Sequence, residues 1–191
     1  SVILWFIVDS LYVLLHTHLQ PNGFDTSHCY YIRLTEVGED ARPPYSVADD
    51  VSEDEAVRKI CERIRSLPGV EALTVASDNS RPYTISSAIS QIQMDSIWSR
   101  PIETMYLFEP GYFRVFRIHG VNGETPEELE AIISDRRHFI ASANLMDGMT
   151  AADLVGRSFD NGWLLGCVTV NQKKSEYDDA DEYATVYYPV D

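Results

Sequence analysis

The start of the chain departs from the patterning of everything after it. Val2-Ile3-Leu4-Trp5-Phe6-Ile7-Val8 and Leu11-Tyr12-Val13-Leu14-Leu15 are apolar nearly all round, with only Asp9 and Ser10 between them. A helix lying on a globular core carries a polar face, and this stretch has none. Two readings stay open on periodicity alone. One is a buried core helix with Asp9 paired. The other is the outer end of a membrane helix, because the stretch is shorter than the roughly 20 residues that span a bilayer. Trp5 and Tyr12 suit an interface, where amphipathic rings sit at headgroup level. His16-Thr17-His18 and Pro21-Asn22-Gly23 then mark an exit to water. With no basic leader and no small-residue cleavage site, the stretch is not expected to be a signal peptide.

Beyond it the pattern alternates between the strand and helix periods. Ser27 to Val37 reads as a strand, with His28, Tyr30, Ile32 and Leu34 on one face, and 39–50 as a polar loop. Ser52 and Glu55 form a capping box. Behind it, Val57, Ile60, Cys61 and Ile64 make one apolar helical face, Glu55 and Lys59 pair at i,i+4, and Pro68-Gly69 ends the helix. Val70 to Ala76 reads as a strand, so 27–76 suggests a βαβ unit. Residues 77–100 read as a connection with one strand between Ile85 and Met94. Ile102 to Phe108 is a strand, and Tyr112 to Phe116 a short aromatic helix or turn. Thr125-Pro126-Glu127-Glu128 starts a helix running to Ser134. Phe139 to Ala141 is a strand, and Thr150 and Asp153 cap a small helix ending near Gly156. Trp163 to Val170 and Tyr183 to Val190 are two strands whose simplest pairing is a hairpin. The expected class is mixed α/β (α+β), without a fixed-period repeat.

Composition narrows the function classes. Apolar residues make up 45% of the 191, with 11 Tyr, which fits a folded domain rather than a disordered chain. Thirty Asp and Glu against 15 Lys and Arg leave a net charge of −15. Such a surface repels phosphates, which excludes nucleic acid as a partner. The basic runs Arg63 with Arg65, Arg136-Arg137 and Lys173-Lys174 read as solvated surface. No Walker-type phosphate loop, dinucleotide fingerprint, HExxH or GxSxG occurs. His16 and His18 would make half of a metal site if extended, but lack further ligands nearby. The acidic run Glu176, Asp178, Asp179, Asp181 and Glu182 lacks the spacing of a calcium loop and reads as solvated. Of the three cysteines, Cys29, Cys61 and Cys167, Cys61 sits on an apolar helix face, and Cys167 alternates with Trp163 and Leu165 in a strand; both read as inert thiols. Tyr112, Phe113 and Phe116 read as core. No catalytic, cofactor-binding or metal-binding residue is assigned, and the chain is expected not to be an enzyme.

Several segments, taken in order, resemble the extracytoplasmic domain of MacB/FtsX-type ABC-transporter permeases, particularly Bacteroidetes-like forms. The apolar start running into Pro21-Asn22-Gly23-Phe24-Asp25 and Tyr30-Tyr31-Ile32-Arg33-Leu34 is similar to the exit from the first membrane helix. Glu109 to Ile118 resembles the family's Y-F-x-V-F-x-I segment. Phe139 to Leu145 resembles a strand and turn, and Ala152 to Arg157 the I-G-K turn, with Arg157 in place of the Lys. Gly166 to Val170 and Val186 to Val190 fall where the family has its last strands. The acidic loop at 176–182 is not a family feature.

The resemblance implies a two-lobed MacB-like periplasmic core domain, with a βαβ porter-like lobe and a second small α/β lobe. It implies residues 1–20 as the end of the first transmembrane helix and juxtamembrane segment, and 21–191 as the extracytoplasmic domain. Localisation would be the bacterial inner membrane, facing the periplasm, with residues 1–15 in the membrane. Implied partners are a homo- or heterodimeric permease partner, a cytoplasmic ABC ATPase and a periplasmic adaptor. The implied role couples cytoplasmic ATP hydrolysis to transport, efflux or periplasmic mechanical work, with no cofactor and no catalytic residue in the domain. Basic and further apolar residues are expected before Ser1, and three more membrane helices after Asp191. The alternative is the ligand-sensing extracytoplasmic domain of a membrane receptor, which calls for one apolar pocket with convergent polar groups. A soluble enzyme would instead bring titratable groups together in a cleft.

Overall fold

A computed structural model of the chain describes residues 2–33, 53–76, 82–83, 89–159, 162–175 and 178–190. They form two compact units, Ser27–Leu73 on one hand and Ser1–Thr26 with Thr74–Asp191 on the other. The class is mixed α/β, as expected.

The smaller unit contains helix α2 (Glu53–Arg65). Lys59 and Glu55 pair at 2.8 Å on its surface. Of the expected apolar face, Cys61 is buried, Val57 and Ile64 are half-buried and Ile60 is exposed. Ser52, the proposed cap, and the polar loop at 39–50 lie outside the described residues. Residues 27–33 and 70–76 are not strands, and 34–37 of the first expected strand lie outside the described residues. The βαβ unit expected over 27–76 is therefore absent among the described residues. An apolar run becomes a strand only when a neighbour completes its hydrogen-bond ladder, and these two find none there.

The larger unit opens with α1 (Val2–Leu19), in which Thr17 alone is buried. The large apolar side chains of α1 from Val2 to Leu15 are exposed, so it is not the core helix that the pattern left open. Its core is a five-stranded sheet in the order β1 (Ile89–Ser90), β4 (Ile102–Leu107), β7 (Ala184–Pro189), β5 (His138–Ser142) and β6 (Leu164–Thr169). A separate hairpin joins β2 (Gln93–Met94) to β3 (Ile97–Trp98).

The expected hairpin between the last two strands does not form. β7 runs parallel to β4 and antiparallel to β5, while β6 pairs in parallel with β5 at the sheet edge. The reason lies in burial. Ala184 to Tyr188 are buried on both faces of β7, and a run buried on both sides is stabilised most in the middle of a sheet. A parallel crossover does occur, from β5 through α5 (Ala151–Leu154) to β6.

On one face, Phe139, Ala141, Leu145, Leu154, Leu165 and Val186 are among the residues of the main core. On the other, α3 (Tyr112–Val115) packs its aromatic rings on β7. Tyr187 lies 5.7 Å from Tyr112 and 5.1 Å from Phe113, ring centre to ring centre. Helix α4 (Pro126–Ser134) packs beside α3 and over β5 and β6. The two expected capping boxes that lie wholly among the described residues form. Thr125 and Glu128 bond reciprocally, and Asp153 accepts from the Thr150 amide at 2.8 Å. The pairing of β5 with β6 shifts by one residue at Gly166, so Ile140 faces Cys167 and Ala141 faces Val168. Cys167 thus leaves the face of Leu165 that strict alternation assigned to it. A side chain at Gly166 would collide with Ile132 of α4, so the extra residue has to be glycine.

Candidate functional site

The feature that sets this domain apart is the joint where α1 enters it. A helix leaves its last carbonyls without intrahelical partners, and here the domain supplies them. The ammonium of Lys173, 2% exposed, donates to the carbonyl of Thr17. Gln20 follows at the helix end. Its amide nitrogen donates to Asp179 Oδ1 at 3.2 Å, and its side-chain oxygen accepts from the Ala180 amide at 3.2 Å. The chain then runs beside 171–173. The Lys173 amide donates to the Asn22 carbonyl at 3.1 Å. Gly23, at φ 79, comes so close to the Asn171 main chain that a Cβ would overlap it. The Asp25 amide bonds the Phe116 carbonyl at 2.8 Å, and its carboxylate pairs with Arg117 at 2.8 Å.

The same segment is tied to the sheet from the other side. Lys174 pairs with Glu103 of β4, the two side chains 10% and 7% exposed, and donates to Thr185 Oγ1 of β7 at 2.9 Å. The Thr185 amide donates to Ser142 Oγ of β5 at 2.7 Å, and that hydroxyl donates to Asn144 at 2.6 Å. Asn144 in turn donates to the carbonyls of Ala180 and Tyr183 at 3.2 and 2.8 Å. A continuous polar network therefore runs from the last turn of α1 through 171–174 and 179–183 into three strands. Burial pulls the Lys174 ammonium below the ordinary lysine range, against the attraction of Glu103. The Asp181 amide, with help from Gln20, holds the Asp179 carboxyl below its ordinary value, against the effect of burial.

The residues singled out from the pattern fall into place as follows. His16 and His18 sit on a helix, not an extended segment, and two positions apart they face different ways. His16 stacks on Tyr12 at 5.8 Å. No group of three metal-capable side chains occurs among the described residues. The acidic run is more than a solvated loop. Asp179 binds the helix end and Asp181 accepts from Asn171, while Glu176 lies outside the described residues. Lys173 and Lys174, expected on the surface, are both buried. Their neighbours are carbonyls and a carboxylate from distant parts of the chain, which no local pattern announces. Cys61 and Cys167 are buried, and burial together with Glu124 pushes the Cys167 thiol up to about 11. Tyr112, Phe113 and Phe116 are core, as expected.

Clefts among the described residues include the following two. One of about 230 Å³ is lined by polar groups including Arg100, Asn144, Asp147, Asn171 and Asp181. The other, of about 190 Å³, lies between α3, α4 and the ends of β4 and β7. Arg100 in the first is already paired with Asp147 at 2.5 Å.

Helix α1 is long and apolar enough to cross a membrane, with a mean hydropathy of 1.7. Eighteen residues at 1.5 Å each rise about 27 Å, close to the thickness of the hydrocarbon core. Its one charged residue is Asp9, exposed at mid-length. A carboxylate at that depth costs about 2.5–3.5 kcal/mol on insertion scales unless it is paired. No protein family, curated protein or solved structure matches the chain.

Proposed function

We propose that the chain is the extracytoplasmic domain of an ABC-transporter permease of the MacB/FtsX type. Residues 1–20 form the outer end of its first membrane helix and the juxtamembrane segment, and residues 21–191 face the periplasm. Its role is mechanical and non-enzymatic: motion of the helix, driven by a partner ATPase in the cytoplasm, is passed to the outer domain. The observation that carries this reading is the joint. A domain merely tethered to a membrane needs only a loose linker, whereas here Lys173, Gln20 and the Lys174–Glu103 pair fasten the helix end to three strands.

Charge supports the orientation. No Lys or Arg occurs between Ser1 and Ile32, and the one lysine at the helix end, Lys173, is buried against the Thr17 carbonyl. Positive residues collect on the cytoplasmic side of membrane helices, so this end belongs outside. The ligand-sensing alternative receives less support. Small-molecule sites enclose about 300–1,000 Å³ behind mostly apolar walls, and the two clefts described above are smaller.

The test uses the full protein in its native membrane. A cysteine at exposed Glu127, in a Cys29→Ser background, is challenged with a membrane-impermeant maleimide in cells with a permeabilised outer membrane. The expected result is labelling without opening the inner membrane, together with co-purification of a vanadate-sensitive ATPase. Labelling only after the inner membrane is opened, or purification with no ATPase, refutes the reading.

A further inference from the structure

The polar network at the joint leaves out two buried groups on the helix side of the sheet. Tyr187 of β7 is wholly buried, and its hydroxyl has no hydrogen-bond partner among the described residues. The same holds for Nε2 of Gln172, a residue 5% exposed. The two groups belong together. The Gln172 amide is close enough to the Tyr187 hydroxyl to favour its ionised form, yet the pair falls short of hydrogen-bond geometry. Gln172 stands between Asn171 and Lys173, and its Cγ lies beside Gly23, where the chain leaves α1. Tyr187 lies against Tyr112 and Phe113 of α3. We infer that one internal water molecule is bound between Tyr187 and Gln172, joining the segment that holds α1 to the aromatic core under α3.

The chemistry of the site selects this ligand. A buried polar group that finds no partner keeps the whole cost of leaving water, and here two such groups face each other. Burial, with Tyr112 and Glu103 nearby, lifts the Tyr187 phenol well above its ordinary range, against the pull of Gln172. The phenol therefore stays neutral and can both donate and accept, whereas the Gln172 nitrogen only donates. A bridging molecule must accept from the amide and match the phenol in either sense. It must also be small, because both side chains are shut off from solvent. Charge narrows the choice further. The Glu103 carboxylate repels an anion, and the Lys174 ammonium paired with it repels a cation. Water is neutral, donates and accepts, and when buried makes about two to four hydrogen bonds to groups of this kind.

Two measurements on the whole chain in detergent test the site. One is a crystal structure fine enough to show ordered water. The other is a thermal melt of the wild type against Tyr187→Phe, which removes a single oxygen and keeps the ring. The expected structure shows a water within about 3.2 Å of both Tyr187 Oη and Gln172 Nε2. The expected melt shows Tm lower by about 2–4 °C in Tyr187→Phe, because a water-mediated bond is nearly as good as a direct one and is lost with the hydroxyl. A direct amide–phenol bond, or no density between the two groups, overturns the inference whatever the melt shows. An unchanged or raised Tm also overturns it, since deleting an orphaned buried hydroxyl relieves a cost instead of removing a bond. None of these outcomes bears on whether α1 crosses a membrane.

Discussion

The Lys174–Glu103 pair allows the sharpest test of the joint. Both side chains are at least nine-tenths buried, and Lys174 also holds Thr185 at 2.9 Å. Removing one member leaves the other charge in the protein with no counter-ion, which costs about 3–5 kcal/mol. Lys174→Met preserves most of the volume and deletes the charge together with the hydrogen bond to Thr185, so the loss is polar rather than a cavity. For a chain of this size each kcal/mol lowers Tm by about 2–4 °C, which predicts a fall of about 6–20 °C. Replacing both members, Lys174→Met with Glu103→Leu, removes the orphaned carboxylate and recovers most of the loss, since apolar substitutes for buried pairs are often neutral or stabilising. Differential scanning calorimetry and urea melts of the wild type, the two single variants and the double variant complete the cycle. Single variants costing under about 1 kcal/mol, or a double variant as unstable as the sum of the singles, would refute the claim that the pair is buried and coupled.

Three further outcomes are expected. Because the Asp179 pKa is depressed in the folded chain, its contribution is fully present above the ordinary 3.8 and is lost as pH falls through the folded value; urea midpoints at pH 5 and pH 2.5 should therefore differ less in Asp179→Asn than in the wild type. Gly23→Ala forces a side chain into positive φ and against Asn171, costing about 1–3 kcal/mol from strain alone; protease digestion should then cut between α1 and the domain sooner, and unchanged digestion would count against the close approach. The Cys167 thiol, buried and raised to about 11, should resist iodoacetamide at pH 8 until the chain is unfolded, as peptide mapping would reveal.

Local chemistry made much of this protein legible in advance. A capping box closes within four residues, so Thr125 with Glu128, and Thr150 with Asp153, could be read directly from the chain. The apolar runs of β4, β5, β6 and β7 likewise announced strands, and the greasy start announced a helix with no polar face. Which strand pairs with which was not written there. Trp163 to Val170 and Tyr183 to Val190 pointed to a hairpin, yet β7 lies between β4 and β5 because only the middle of the sheet buries both its faces. Val70 to Ala76 has strand composition but no ladder partner among the described residues. Lys173 and Lys174 show the limit most plainly. Two adjacent lysines read as surface until the fold places the Thr17 carbonyl, Glu103 and Thr185 around them. Hydrogen bonds between near neighbours are set by the order of residues. The solvation of a charge is set by what the rest of the chain brings to it, and that belongs to the tertiary structure alone.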